Sequence, residues 1–280
     1  MHAHNRARPA TSLPRLLLCA VAVLLSCCGG GNVGGGSTAG GGGGGPYGGG
    51  GGGGTSPPPT ASAYSTSKLV SDGALAASIT DANLINPWGI VFAANAPVWV
   101  ANNGTQTSTI YNGIGVQQLA PVSLPAGING LASPTGIVAN SSAGFIISEG
   151  AQSGPAQFIF DGEGGTISGW ASSVDAQKAI VMYDDGMGGA VYKGLVIATD
   201  GSGTTLLYAT DFHNNKIDVF DGTFAKTTTT GGFIDAALPA GYAPFGIQAL
   251  VVQNQTLIYV TYAKQDTGAH GPVGGAGLGL

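Results

Sequence analysis

The chain has 280 residues, among them 51 glycines, 15 prolines, nine Lys or Arg and 14 Asp or Glu, for a formal charge of −5. Its only arginines, Arg6, Arg8 and Arg15, lie at the N-terminus. The rest of the chain therefore has six scattered lysines and no guanidinium fork for phosphate, which excludes nucleic acid as a partner. The cysteines Cys19, Cys27 and Cys28 are also N-terminal, so the body lacks disulfides, thiolate metal sites, a thiol nucleophile and a Cys-x-x-Cys-His haem attachment.

Residues 1–26 have the form of a lipoprotein-type signal peptide. The three arginines make a positive n-region, and the apolar residues 16–25 are too few to span a bilayer. Leu24-Leu25-Ser26-Cys27 resembles the lipobox of bacterial lipoproteins, with Leu at −3 and a small residue at −1, although Leu at −2 departs from the usual small residue. The resemblance implies that Cys27 is lipidated and holds the protein to a membrane. Cys28 at +2, in place of Asp, implies an outer-membrane destination on the periplasmic or cell-surface side. An ordinary cleaved signal peptide is the alternative. Loss of the leader leaves six lysines against 14 acidic residues, a formal charge of about −8.

Residues 27–63 are expected to be a tether. A glycine run over 29–54 and "TSPPPTASA" over 55–63 cannot bury a core. A flexible coil of this length spans on the order of 30 Å. No lysine or helix pattern follows the glycines, so a phosphate-binding loop does not fit.

Residues 64–280 are long enough for a sizeable core, and they repeat. "NPWGIVFA" from Asn86 is echoed by "SPTGIVAN" from Ser133, "YKGLVIAT" from Tyr192 and "APFGIQAL" from Ala243, with aligned Gly89, Gly136, Gly194 and Gly246 spaced by 47, 58 and 52 residues. A second mark, Asn-Gly or Asp-Gly ending an alternating run, closes at Gly113, Gly162 and Gly222. Between the marks lie the β-rich runs "VWVAN", "FIIS", "LLYAT" and, after Gly246, "LIYVTYA". In the first unit the expected strands are 89–93, 98–101 and 108–111. By the same rule, 145–148 is the second strand of its unit and "FIFDG" the third. No helical period is sustained. The fold class is therefore all-β, a β-propeller with blades of about 50 residues. Trp88, Phe245, Trp99, Tyr208 and Tyr259 are expected to pack between blades, and the repeated glycines to let the innermost strands approach one another.

"NLINPWGIVFAANAPVWVANNGTQTSTIYNG", "PTGIVAN", "FIFDGEGGTISGW", "LYATDFHNNKIDVFDGTF" and "IYVTYAKQD" resemble a family of exported bacterial proteins of uncharacterised function, itself similar to NHL-repeat β-propellers. The resemblance implies six blades and brings no catalytic residues. Family members continue beyond the Gly-rich segment in which residues 271–280 lie. The expectation is thus about four blades and part of a fifth, in a fragment or a truncated copy.

Chemistry is sparse. Asp161 and Glu163 in "FDGEGG" and Asp184 and Asp185 in "YDDGMGG" are hard-oxygen candidates for calcium, without EF-hand spacing. Asp-Gly turns explain Asp161 without a metal, and no other cofactor is expected. His213 near Asp211 could form a base and its orienter, but "HNNK" also reads as a plain turn. No Gly-x-Ser-x-Gly elbow occurs. The favoured expectation is a lipid-anchored, non-catalytic scaffold that binds an extracytoplasmic protein or glycan. A propeller hydrolase or lyase with a channel metal is the rival, and a nonfunctional truncated copy the third reading.

Overall fold

The computed structural model describes residues 65–92, 96–229, 232–268 and 271–275. Cys27, the leader and the tether lie outside them. All regular structure among the described residues is β.

A short parallel pair, β1 (Val70–Ser71) and β2 (Ile79–Thr80), comes first. The first large sheet is an antiparallel meander of β3 (Pro87–Val91), β4 (Val98–Asn102), β5 (Thr107–Tyr111) and β6 (Val122–Ser123). The second sheet starts with β7 (Pro134–Ala139). After it, β8 (Ile146–Glu149) and β9 (Gln152–Pro155) form a separate two-stranded hairpin. The second sheet then resumes with β10 (Phe158–Gly162), β11 (Thr166–Trp170) and β12 (Ile180–Asp184). The third is β13 (Tyr192–Thr199), β14 (Thr205–Asp211), β15 (Lys216–Phe220) and β16 (Lys226–Thr227). The fourth is the hairpin of β17 (Tyr242–Val252) and β18 (Gln255–Lys264), turned at Gln253 and Asn254 with φ of 50° and 62°.

The repeat unit is thus a sheet, as expected, but one assignment changes. Residues 145–148 do not enter the second sheet. Asn140 N donates to the Gln157 carbonyl at 3.0 Å, so the β7–β10 ladder carries on across the base of an inserted excursion. Asn140 Nδ2 clamps that base by donating to Ala156 O at 2.9 Å and Gly144 O at 3.3 Å. The hairpin leaves the sheet because its apolar side chains have another place to go. Phe145 and Ile147 are buried in the core between the second and third sheets, where Phe145 meets Phe224 edge-on at 5.1 Å. "FIFDG" is consequently the second strand of its sheet, and the insertion accounts for the 58-residue spacing, the longest of the three. The described residues hold three four-stranded sheets and a two-stranded fourth.

The sheets follow one another through their first strands, β3 beside β7, β7 beside β13, and β13 beside β17, the succession of propeller blades. The core fills the gaps between sheets. Trp99, Ile110 and Val122 meet Ile137, Phe160 and Trp170 between the first two. Val138, Ile159 and Ile167 meet Leu195, Leu207 and Phe220 between the next two. Val196, Leu206 and Tyr208 meet Ile247 and Ile258 between the last two. β7, β10 and β11 are covered on both faces, so burial along them shows little alternation. Trp99 stacks on Phe158 at 4.0 Å and Tyr208 is 5% exposed, so these two aromatics do pack between blades. Tyr259 does not; it lies 48% exposed on the outer face of the fourth sheet.

Candidate functional site: the mouth formed by the innermost strands

The four aligned glycines coincide with a repeated defect in strand pairing. In every large sheet the register between first and second strand shifts there: Pro87 faces Asn102 but Ile90 faces Val100, Pro134 faces Gly162 but Ile137 faces Phe160. Tyr192 faces Asp211 but Leu195 faces Ala209, and Pro244 faces Tyr262 but Ile247 faces Val260. Each is a β-bulge, two residues opposite one, which bends the strand and re-aims a side chain. The re-aimed residues are the variable ones of the motif, Trp88, Thr135, Lys193 and Phe245.

The glycines of the first three bulges lie against the next sheet. A Cβ at Gly89 would stand 2.5 Å from Thr135 O, one at Gly136 2.6 Å from the Leu195 N and Cβ, and one at Gly194 2.9 Å from Phe245 O. The backbone strands touch, so only glycine fits. The expected role of these glycines holds.

In the second, third and fourth sheets the residue facing the bulge supplies hydrogen bonds the broken ladder lacks, whereas in the first it is Ala101. Thr210 Oγ1 donates to Phe245 O at 2.6 Å, joining the third sheet to the fourth. Thr261 Oγ1 accepts from Gly246 N at 3.0 Å. In the second sheet the residue is Asp161, whose Oδ1 accepts from Gly136 N and, at 2.8 Å, from Thr135 Oγ1. Its other oxygen, Oδ2, is buried without a partner. Burial raises the Asp161 pKa to about 6, although Thr135, Gly136 and Lys193 favour the charged form.

Lys193 is the centre of the mouth. Its side chain is 3% exposed, its Nζ pairs with Glu163 Oε1, and the ammonium lies 4.9 Å from the Trp88 ring centroid and 5.8 Å from that of Phe245. The two rings are themselves 5.9 Å apart. Trp88 comes from the first sheet, Glu163 from the turn after β10 in the second, Lys193 from the third and Phe245 from the fourth. A buried ammonium requires such compensation by carboxylate and ring faces. Asn103, in the turn after β4, donates to Glu163 Oε2 at 3.0 Å and to Ser133 O at 3.1 Å. It accepts from Asn86 Nδ2 at 3.1 Å, and Asn86 in turn accepts from Trp88 Nε1 at 3.2 Å.

The structure separates the other sequence candidates. Asp184 serves as a loop clasp, accepting from Ile128 N at 2.7 Å and Gly186 N at 2.9 Å. Asp185 pairs with Lys226 at 3.2 Å. Lys226 also binds Asp218 at 2.9 Å, and Tyr192 OH donates to Asp218 at 3.0 Å. Asp211 accepts from Val191 N, Asn214 N and Asn214 Nδ2, so its carboxylate shapes the turn that carries His213. Among the described residues no group of three or more His, Cys, Asp or Glu converges to hold a metal ion. Glu163 alone of the four calcium candidates belongs to the mouth lining. Lys193, Asn103 and Thr135 were not singled out in the sequence. For Lys193 and Thr135 the signal lies in the motif column that varies, Trp, Thr, Lys and Phe, just before the aligned glycine; Asn103 lies outside that column.

Two clefts lie away from the mouth. One of about 470 Å³, at the far ends of the innermost strands, is lined by Asn140, Ser142, Thr199, Thr205 and Thr256 and contains no titratable group. The other, of about 610 Å³, lies beside Tyr208 and Phe233, where the Asp200 carboxylate is taken up by Ser202 and Thr204.

No protein-family model matches the chain. An uncharacterized protein of Acanthamoeba polyphaga mimivirus is 30% identical over 210 residues, covering 73% of this chain and 50% of that protein. A second from the same virus is 31% identical over 211 residues, covering 73% and 54%. The chain thus spans about half the length of these relatives. Among solved structures it is similar to a catalytically inactive virginiamycin B lyase from Staphylococcus aureus with quinupristin, at TM-score 0.40 and 14% identity, covering 62% of this chain and 54% of that one. It is also similar to Kuenenia stuttgartiensis hydrazine synthase, at TM-score 0.41 and 14% identity, covering 66% and 44%.

The buried carboxylate gives a pH signature. The Asp161 pKa is raised on folding, from 3.8 to about 6. Its ionisation therefore opposes folding: the protonated form's stability is complete below pH 4, is lost as the pH rises toward 6, and the loss is constant above. Asp161→Asn keeps an acceptor for Gly136 and Thr135 and cannot ionise. The stability of the variant relative to wild type, from urea melts, should rise by up to about 3 kcal/mol between pH 4 and 6.5 and then level. A pH-independent difference would contradict this assignment.

Proposed function

We propose that the protein is an exported, lipid-anchored, propeller-like scaffold that binds an extracytoplasmic ligand, protein or glycan, at the mouth of its innermost strands, and that it is not an enzyme. The observation that carries this reading is the meeting of Trp88, Glu163, Lys193 and Phe245, one side chain from each large sheet, at a single point. Such a meeting fixes aromatic and polar groups on a rigid frame, which is what selective binding needs. Glu163 and Lys193 neutralise each other, and this favours a recognition surface over a proton-transfer pair. Membership in the resembling family of exported proteins, a six-bladed ring and an outer-membrane location through Cys27 complete the proposal, and the sequence motifs above support them.

Trp88 is the built-in probe, because Trp99 and Trp170 are only 4% and 3% exposed while Trp88 is half-buried. A screen of glycans and peptides should find ligands that change its fluorescence, with the signal lost in Trp88→Phe. Lys193→Met removes the ammonium that fixes Glu163 and the Trp88 and Phe245 rings in place, and should weaken binding about tenfold through their lost positioning. A turnover abolished by Glu163→Gln would instead make the protein an enzyme. Palmitate labelling in a bacterial host should depend on Cys27, and label retained in Cys27→Ala would refute the anchor.

A further inference from the structure

The rim of the mouth has a property that its interior does not explain. The segments leading into β3, β7 and β13 each hold large aliphatic side chains in solvent: Ile85 is 45% exposed, Ile128 67%, Leu131 52% and Met187 82%. Single exposed aliphatics are ordinary, but several on one surface are not. Here the loops that carry them are tied into one belt. Gly104 N donates to Ile85 O at 3.1 Å, and the neighbouring Asn103 donates to Glu163. Asn129 Nδ2 donates to Gly164 O at 2.9 Å, beside Glu163, and Ile128 N donates to Asp184 Oδ2 at 2.7 Å. Ile128 Cγ2 stands 3.2 Å from the Cβ position of Gly186, next to Met187. The aliphatics are therefore displayed on a fixed surface rather than on independent loops.

The same surface has an excess of negative charge. Glu163, Asp184 and Asp185 lie on the belt, with Asp211 and Asp218 in the ion-pair network behind it. Against these five carboxylates stand Lys193, Lys216 and Lys226. Lys193 and Glu163 cancel, and Asp211 and Asp218 are 0% and 5% exposed. What a partner meets is thus the net excess of two carboxylates over lysines, carried at the surface by Asp184, which is exposed and pairs with none of these lysines.

We propose that this rim docks a polypeptide segment that is both basic and aliphatic. The aliphatics would meet Ile85, Ile128, Leu131 and Met187, and the cationic groups the net negative charge exposed at Asp184. This rests on the mouth end being the binding end. An anionic lipid surface is disfavoured by the sign of the charge.

The test uses the full-length protein and labelled peptides of equal length and matched sequence pattern, Leu/Lys, Ser/Lys and Leu/Glu, together with phosphatidylglycerol vesicles. Fluorescence anisotropy should show the Leu/Lys peptide binding at least about tenfold tighter than either relative. The double variant Ile128→Ser, Met187→Ser should lose about tenfold, while Val251→Ser on the fourth sheet, 74% exposed in the wild type, should leave binding unchanged. Equal binding of Ser/Lys would reduce the effect to charge alone and overturn the proposal. So would equal binding of Leu/Glu, equal loss in Val251→Ser, or preferential capture by the vesicles. If no peptide binds but another ligand perturbs Trp88, the rim proposal falls and the mouth reading stands. If the rim binds as expected while Trp88→Phe and Lys193→Met have no effect on any ligand, the rim proposal stands and the reading of the interior falls.

Discussion

The structure depends on the contact of bare backbone between successive sheets. At Gly89, Gly136 and Gly194 a methyl group would meet main-chain atoms of the neighbouring strand at 2.5, 2.6 and 2.9 Å. That approach fixes how tightly the first strands converge and hence where the three core layers between sheets can form. Side chains such as Trp99 on Phe158 and Tyr208 on Ile258 then fill wedges whose angle the glycines have already set. Hydrophobic burial supplies most of the stabilisation. It does not by itself choose this geometry, because apolar strands would also pack in a sandwich.

The same contact creates the site. A bulge is needed to bring the glycine inward, and a bulge also turns its neighbour toward the mouth. Trp88, Thr135, Lys193 and Phe245 are gathered there as a consequence of packing. The broken ladder leaves polar groups that need partners, and Thr210, Thr261 and Asp161 provide them from the facing strand. Asp161 is the costly member of that set, since a carboxylate with one unpartnered buried oxygen is held where threonine serves elsewhere. Lys193, within its electrostatic reach, offsets part of that cost.

Much of the fold could be read from the sequence because its marks are local. The strands of the first sheet, the turns at Gly113 and Gly222 and the inter-blade role of Trp99 and Tyr208 follow from alternation and turn chemistry. Residues 145–148 were misplaced because Phe-Ile-Ile-Ser has the same strand character whether it joins the sheet or covers the core; only the clamp at Asn140 distinguishes the two. Tyr259 resembles Tyr208 in sequence yet lies on an uncovered face, which strand propensity does not record. The mouth was legible only in part. The glycines announce a close approach, but the pairing of Lys193 with Glu163, and of both with Trp88 and Phe245, joins residues separated by up to 157 positions and requires the third dimension.

The most direct test of the backbone-contact account is the unfolding free energy of Gly136→Ala beside that of Gly113→Ala. The first would place a methyl 2.6 Å from the Leu195 backbone, whereas the second has no atom within 4 Å and an ordinary φ. Overpacking at Gly136 should cost about 3 kcal/mol in urea melts, and Gly113→Ala should stay within about 0.5 kcal/mol of wild type. Equal, small effects at both positions would mean that the innermost strands do not touch, and the origin assigned here to the mouth would be wrong.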